Sequence, residues 1–363
     1  MKKIKVLIID DSALVREVLT RILSADPQIE VLGSAMDPFF AVKQIKEQKP
    51  DVITLDVEMP RMDGLSFLKK LMTSQPIPVV MISSWTKKGA DATIKALEMG
   101  AVDFVEKPQV GISRGMEEMG EEIAEKVKAA FQVDIVKLRS MSRGIKSTEE
   151  ASKPAGEKSG VTTDTTKLLE KTTDRIIALG ASTGGTTAVR HILSQFPPDM
   201  EPVVVVLHMP AEFTKSYAEG LDTASRMRVK EAVDGERVVK GHAYVAPGGK
   251  HLLIKRSGAQ YLLKLTEDPP YKRHRPSVDK TFFSLAEAAG ENAAAMVLTG
   301  MGDDGSEGLK AVREQGGWTG VQDEKTSVIY GMPKQAKMAG GTDREFSLYE
   351  IPETLINWSK VAR

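Results

Sequence analysis

The stretch Arg175 to Gly185 reads RIIALGASTGG and carries a Gly-x-Ser-x-Gly pattern at Gly180, Ser182 and Gly184. Ile176 to Leu179 suit a buried parallel strand, and the glycines suit a tight turn into a helix. Such a turn can hold a hydroxyl exposed at a strand's carboxyl end, where it can reach a substrate carbonyl. Ser182 is therefore a candidate nucleophile, although the same glycines could instead pack a helix closely or cradle a phosphate. A serine hydroxyl stays weak until an imidazole takes its proton and a carboxylate fixes the imidazole tautomer. His208 directly follows the apolar run VVVVL, and Asp303 and Asp304 follow MVLTGMG in a second glycine-rich turn. If the three strands are neighbours, hydroxyl, imidazole and carboxylate converge on one sheet edge. Taken singly, His208 could be a satisfied structural histidine, and either aspartate could cap a helix starting near Ser306.

A second constellation lies nearer the N-terminus. Asp10 and Asp11 follow the apolar run Ile4 to Ile9, Asp56 follows Val52 to Leu55, Ser83 follows Val79 to Ile82, and Lys107 and Pro108 follow Ala101 to Val105. Carboxylates brought together repel unless a cation joins them, and all-oxygen ligation suits Mg²⁺. A lysine and a hydroxyl beside them would complement a phosphoryl group. Any one of these aspartates could merely cap the helix after its strand.

The elements that must position these residues follow from the alternation of apolar runs with helical patterns. In the first part of the chain, the runs above and Val31 to Ser34 alternate with stretches such as Leu14, Val15, Val18, Leu19 and Ile22. This rhythm predicts a parallel sheet with helices on both faces, and functional groups gather beyond the strands' carboxyl ends in such a sheet. The second part repeats it with Arg175 to Leu179, Pro202 to Leu207, Ala243 to Val245, Leu252 to Lys255, Tyr261 to Leu265 and Ala294 to Thr299. Its sheet is expected to be mostly parallel, with a β-hairpin turning at Ser257-Gly258. The fold class is α/β, two doubly wound domains. The chain order Ser, His, Asp differs from the Ser, Asp, His of an α/β-hydrolase. A dinucleotide site would need an acidic residue after the second strand, where Leu207, His208, Met209 and Pro210 stand instead.

At 363 residues, the chain exceeds the size at which one core keeps growing. Fifty basic residues balance fifty acidic ones, which removes the electrostatic footprint of a nucleic-acid binder. The absence of cysteine excludes disulfides, thiolate catalysis and cysteine-ligated zinc. No apolar run is long enough to span a bilayer, and MKKIKVLIIDDS reads as a first strand rather than a leader, so a cytoplasmic protein is expected. A monomer is expected as well. Domains are expected over residues 1–131 and 174–363. Between them, residues 132–173 form a polar segment rich in Ser, Thr, Lys, Glu and Gly, and its coil-like part, from 140 onward, would span about 30 Å.

The segments VLIIDDS, LDVEMPRMDG, MISS and VDFVEKP resemble the receiver domain of bacterial response regulators over the whole first domain. The resemblance implies that Asp56 accepts a phosphoryl group from a histidine kinase, with Mg²⁺ held by Asp11, Asp56 and the backbone carbonyl of Glu58 and with Asp10 acting mainly through water. Ser83 and Lys107 would bind the phosphoryl oxygens. Phe104 stands at the family's aromatic switch position, or is a core aromatic on a buried strand.

The segments GASTGG, HMP, YVAPGGKHL, HRPSVD, LTGMGDDG and GMPK resemble the catalytic domain of the CheB family of chemotaxis methylesterases. That resemblance implies Ser182 as nucleophile, His208 as general base and then acid, and Asp304 rather than Asp303 as the orienting carboxylate. It also implies oxyanion donors on the backbone amides near Thr183 and Met301. The implied reaction is hydrolysis of glutamate methyl esters on chemoreceptors, with deamidation of glutamines and no metal for either. The unphosphorylated receiver would cover the strand-end cleft. The basic run Lys272 to Arg275 would lie near the active site, either attracting acidic receptor helices or forming a solvated turn. The competing reading is a response regulator with a non-catalytic, partner-binding output domain.

Overall fold

A computed structural model describes residues 3–84, 86–108, 112–135, 138 and 175–361. The chain divides into two compact units, Met1–Arg143 and Gly144–Arg363. Most of the expected linker lies outside the described residues.

In the first unit, strands β1 (Ile4–Ile9), β2 (Ile29–Ala35), β3 (Val52–Asp56), β4 (Val79–Ser84) and β5 (Asp103–Lys107) form one parallel sheet in the order β2-β1-β3-β4-β5. Helices α1 (Ala13–Ala25), α2 (Pro38–Glu47), α3 (Gly64–Ser74), α4 (Lys87–Glu98), α5 (Ile112–Glu118) and α6 (Gly120–Gln132) complete it. The first helix starts where Ser12 accepts a hydrogen bond from the Val15 amide, and it buries Val15, Val18, Leu19 and Leu23. Leu14 falls off that stripe and is exposed. The fifth strand begins two residues later than its apolar run suggests. Asp103 and Glu106 are buried within it, and Lys126 of α6 reaches Asp103 at 3.6 Å and the Phe104 carbonyl at 2.5 Å. The Phe104 amide also donates to Asp103 Oδ1 at 2.7 Å, and a buried carboxylate needs such partners.

In the second unit the strands are β6 (Ile176–Ala181), β7 (Val203–Leu207), β8 (Arg228–Glu231), β9 (His242–Val245), β10 (His251–Ser257), β11 (Gln260–Thr266), β12 (Ala293–Val297), β13 (Trp318–Gln322) and β14 (Glu345–Phe346). Seven of them form a sheet in the order β14-β13-β12-β6-β7-β9-β8, every pair parallel. The antiparallel hairpin β10-β11 stands apart as its own two-stranded sheet. Helices α7 (Gly185–Gln195), α8 (Ala211–Ala224), α9 (Val278–Ala289), α10 (Ser306–Glu314), α11 (Met332–Met338) and α12 (Ile351–Lys360) complete the unit. Pro333 and Pro352 sit in the first turns of α11 and α12, where no backbone donor is missed.

The topology sets the site. Strand β6 (IIALGA) lies between β12 and β7, and β6 and β7 are buried along their whole length, so polar chemistry is confined to their ends. Side-chain hydrogen bonds tie the hairpin to α9: Thr281 Oγ1 donates to the Leu252 carbonyl at 2.7 Å, and the Ile254 amide donates to Ser284 Oγ at 2.9 Å. Phe282, Leu285, Leu309 and Val312 fill the space between α9 and α10. Each such side chain contributes roughly 1.5–3 kcal/mol on burial, which makes α9 a firm frame. Among the described residues no helix is long and apolar enough to cross a membrane.

Candidate active site and phosphoacceptor site

In the first unit, Asp10 follows β1, while Asp56 and Lys107 are the last residues of β3 and β5. Lys107 Nζ lies 2.7 Å from Asp10 Oδ2 and 2.9 Å from Asp56 Oδ1. Asp10, Asp11 and Asp56 each offer a carboxylate oxygen, all within 4.8 Å of one another. Burial, and then the charge of Asp10, push the Asp56 carboxyl up to about 6 against the pull of Lys107 and of the Glu58 amide. Burial likewise raises Asp10. Burial opposes charge on Lys107, but Asp10 and Asp56 outweigh it and hold the ammonium above its ordinary range. Three carboxylates, Asp10 and Asp56 buried and Asp11 exposed, against one ammonium leave excess negative charge, and a hard divalent cation suits that donor set.

Ser83 is brought to the same sheet edge, but its buried hydroxyl donates to the Gly89 carbonyl at 3.2 Å. Phe104 is packed in the core with Lys126 Nζ 5.3 Å from its ring centroid. Arg16, which sequence reasoning passed over, donates through Nη1 to the carbonyls of Asp10 at 2.8 Å and Asp11 at 2.9 Å. It thereby ties down the turn that carries both carboxylates. Its place on α1, one turn after the aspartates, was the available signal.

In the second unit, Ser182 directly follows β6 and His208 directly follows β7. Ala181 pairs with Leu207, and the His208 amide donates to the Ala181 carbonyl at 3.4 Å. On the other flank of β6, the Ser182 amide donates to the Thr299 carbonyl at 3.0 Å. The turn beyond β12 therefore packs on the serine. A Cβ built on Gly300 would lie 2.9 Å from both Ser182 Cβ and Ser182 N. This close approach needs a residue without a side chain, and only the glycine spacing of LTGMGDDG hinted at it.

Asp304 is the better placed of the two aspartates. His208 Nε2 donates to Asp304 Oδ2 at 2.7 Å. Val278 N donates to the same oxygen at 2.7 Å, while Oδ1 accepts from Ser277 Oγ at 2.8 Å and Asp279 N at 3.0 Å. Ser277 is the N-cap of α9, so the carboxylate sits on the positive end of that helix. Burial disfavours its charge, but the His208 contact and the Val278 and Asp279 amides outweigh burial and hold Asp304 well below the ordinary carboxylate range. Asp303 is exposed and pairs instead with Lys272 at 3.2 Å.

The His208 side chain is 7% exposed, and its Nδ1 is buried with no hydrogen-bond partner among the described residues. With Nε2 donating to Asp304, the lone pair is on Nδ1. The stacked ring of His274 lies on that of His208, centroids 3.6 Å apart.

The backbone around the serine is turned consistently. The Gly185 amide donates to the Ser182 carbonyl at 2.7 Å, and the Gly331 and Met332 amides donate to the Gly300 carbonyl at 3.1 and 2.8 Å. In a trans peptide the N–H points opposite to the C=O. The Thr183 N–H is therefore turned away from α7, and the Met301 N–H away from α11. Thr299 Oγ1 braces both turns by donating to the Thr183 carbonyl at 2.9 Å and accepting from Ile329 N at 3.0 Å.

Within the basic run, Lys272 is tied down by carboxylates while Arg273 is exposed. Lys272 Nζ is engaged by Asp279 at 2.9 Å, Asp303 at 3.2 Å and Glu307 at 3.5 Å. His251 is structural: its Nδ1 accepts from Ser277 N at 3.2 Å, its Nε2 meets the Pro269 carbonyl at 3.1 Å, and burial pulls its pKa down.

The sequence pattern of the response regulator receiver domain matches residues 6–114, and that of CheB methylesterase matches residues 177–355. A protein-glutamate methylesterase/protein-glutamine glutaminase of Chromohalobacter salexigens is 48% identical over 354 residues, covering 98% of this chain and 96% of that protein. A protein of the same name from Xanthomonas campestris is 49% identical over 360 residues, covering 99% of this chain and 98% of that protein. The crystal structure of the Thermotoga maritima CheB methylesterase catalytic domain superimposes with a TM-score of 0.50 at 40% identity, covering 51% of this chain and 98% of that one. With identity near one half sustained from the receiver through the serine edge, the chain belongs to the protein-glutamate methylesterase/protein-glutamine glutaminase family.

Proposed function

We propose that the protein is a phosphorylation-activated serine hydrolase that removes methyl esters from glutamates of chemoreceptors, releasing methanol, and deamidates glutamines by the same acyl-enzyme route. Ser182 is the nucleophile, His208 the base and Asp304 the orienting anion. The observation that carries this reading is the His208 Nε2 to Asp304 Oδ2 bond of 2.7 Å at the ends of the two strands flanking that of Ser182. It leaves the lone pair on Nδ1, which takes the Ser182 proton as Oγ attacks the side-chain acyl carbon. The amides of Thr183 and Met301, turned away from their helices, are the oxyanion donors for the resulting tetrahedral intermediate. His208 then gives its proton to the leaving group, which departs as methanol or ammonia, and water, deprotonated by His208, hydrolyses the acyl-enzyme to glutamate and free Ser182. Asp304, with four donors on its two oxygens, stays ionised and stabilises the imidazolium. A serine-directed phosphonate, read by mass spectrometry, should label Ser182 in the phosphorylated full chain, and Ser182→Ala should lose several orders of magnitude in turnover. Labelling elsewhere, or retained turnover, would refute this assignment.

Residues 1–131 are the control domain, joined to residues 174–363 by the polar linker 132–173. Asp56 accepts the phosphoryl group from a histidine kinase, and Lys107 and Ser83 receive its oxygens. The uncompensated carboxylates support a Mg²⁺ held by Asp11, Asp56 and the Glu58 carbonyl, with Asp10 through water; when bound, it neutralises charge on the incoming phosphoryl oxygens. Lys107 already bridges Asp10 and Asp56, so it keeps Asp56 oriented before the donor arrives. For the phosphoryl group to gain Ser83, that hydroxyl must leave the Gly89 carbonyl, which couples the phosphoacceptor to the start of α4.

A further inference from the structure

We propose that His274 is a positioning residue for the catalytic imidazole, its ring face fixing the torsion that aims His208 Nδ1 at the nucleophile. The inference rests on the reading of Ser182, His208 and Asp304 as a triad. The two rings lie at an interplanar angle of 6° with centroids 3.6 Å apart, which is full van der Waals contact across both faces.

The geometry of the Asp304 bond leaves room for a second constraint on His208. Asp304 holds Nε2, but the torsion about Cβ–Cγ is broad and soft for a histidine. That axis runs close to Nε2, so a turn about it carries Nδ1 further than Nε2. One hydrogen bond at Nε2 therefore resists ring rotation only weakly, and rotation spoils the line from Nδ1 to the serine oxygen. A flat surface against the ring face opposes that rotation and leaves the Asp304 bond undisturbed.

The turn that presents His274 is built for rigidity. Tyr271 and His274 exchange backbone hydrogen bonds at 2.9 and 3.1 Å around Lys272 and Arg273, whose φ angles are 47° and 69°. Two successive left-handed residues between such a pair describe a mirror-type hairpin turn, which ordinarily takes Asn-Gly. Side chains with a Cβ are strained there, and strain of this kind persists where the surroundings impose it. Those surroundings are the three carboxylates on Lys272 and the two carbonyls, of Glu267 and Asp268, that accept from Arg275 Nη1 at 3.0 and 3.2 Å. Asp279, the most buried partner of Lys272, also donates its amide to Asp304. The first turn of α9 thus anchors both the carboxylate at the imidazole's edge and the ring against its face.

The test compares His274→Phe, which keeps a flat ring, with His274→Leu, which fills similar volume without one. In the full chain acting on a methylated receptor, His274→Leu should lower kcat by about 10- to 100-fold with KM unchanged, the range that small misplacements of a reacting group cause. His274→Phe should keep kcat close to the unsubstituted enzyme, and phosphonate labelling of Ser182 should slow in parallel with kcat. Full kcat in His274→Leu overturns the inference. So does equal loss in both variants, which would assign the effect to the imidazole nitrogens, or a change confined to KM, which would make His274 a substrate contact. Ser182→Ala is measured beside them: turnover there sinks the triad itself, whereas an inactive Ser182→Ala beside a fully active His274→Leu sinks only the role of His274.

Discussion

Replacing Asp304 with asparagine tests the electrostatics of the catalytic edge more sharply than removing the side chain. The carboxylate accepts from four donors: His208 Nε2 and Val278 N on Oδ2, and Ser277 Oγ and Asp279 N on Oδ1. An asparagine must place its NH₂ at one of these positions, and each holds a backbone N–H that cannot become an acceptor. With NH₂ toward Oδ2, Val278 N–H is left facing a donor and His208 is forced to accept at Nε2, which puts its proton on Nδ1 and blocks the base. With NH₂ toward Oδ1, Ser277 can rotate to accept, but Asp279 N–H is orphaned and the imidazolium still loses its anion. Loss of one charged hydrogen bond in a buried site costs roughly 1.5–3 kcal/mol of stability, and the orphaned donor adds about 1–3 kcal/mol. The loss of kcat should be about 10⁴-fold, the scale of the corresponding change in a serine-protease triad. The sign with pH follows from the depressed Asp304 carboxyl. Its stabilisation is present above the unfolded value of about 3.9 and is lost as pH falls below it, so the gap between parent and variant should be full at neutral pH and shrink on acidification. Steady-state ester hydrolysis and urea unfolding at two pH values read both effects. A kcat loss below about tenfold, or a stability gap that widens in acid, would refute the reasoning.

Three other outcomes test the proposed function. Gly300→Ala puts a methyl 2.9 Å from Ser182 Cβ and should abolish phosphonate labelling of Ser182 while the sheet still forms, as judged by circular dichroism. Residues 174–363 alone should demethylate receptors faster than the unphosphorylated full chain, and no gain would end the inhibitory reading of the receiver. With Asp56 raised to about 6, its contribution to stability is fully present below about 3.9 and is lost as pH rises through that raised value, so without a divalent cation the receiver's melting point should fall over that interval and Mg²⁺ should restore it. A Mg²⁺ effect that is the same below and above the interval would contradict the charge argument.

The sequence already showed which residues end the central strands, because an unbroken apolar run such as VVVVL in β7 must be followed by its first polar group at the sheet edge. The strand-end positions of His208, Asp10 and Asp56 were legible on that ground, and that of Ser182 from the glycine turn after its strand. The outer strands were not: β8 reads RVKE with its charges outward, β13 opens on a half-buried Trp318, and β14 is two residues long, so none carries the apolar run that marks a doubly covered strand. The start of β5 was obscured for the opposite reason. Its buried Asp103 is held by the Phe104 amide and by Lys126, which is distant in sequence.

Asp303 and Asp304 mark the limit of pattern reading more clearly still, since both are aspartates in one glycine turn. Strand periodicity cannot separate them, because neither belongs to a strand. What separates them is α9, which contributes no residue to the Ser-His-Asp pattern. Its first turn aims two amides at Asp304, and the N-cap hydroxyl of Ser277 adds a third donor, while Asp279 in that turn draws Lys272 toward the exposed Asp303. A helix N-terminus selects the anion placed before it. In the proposed triad the orienting carboxylate is thus selected by α9, and the segment SVD that opens this helix belongs to the same edge as the glycine turn that carries Ser182.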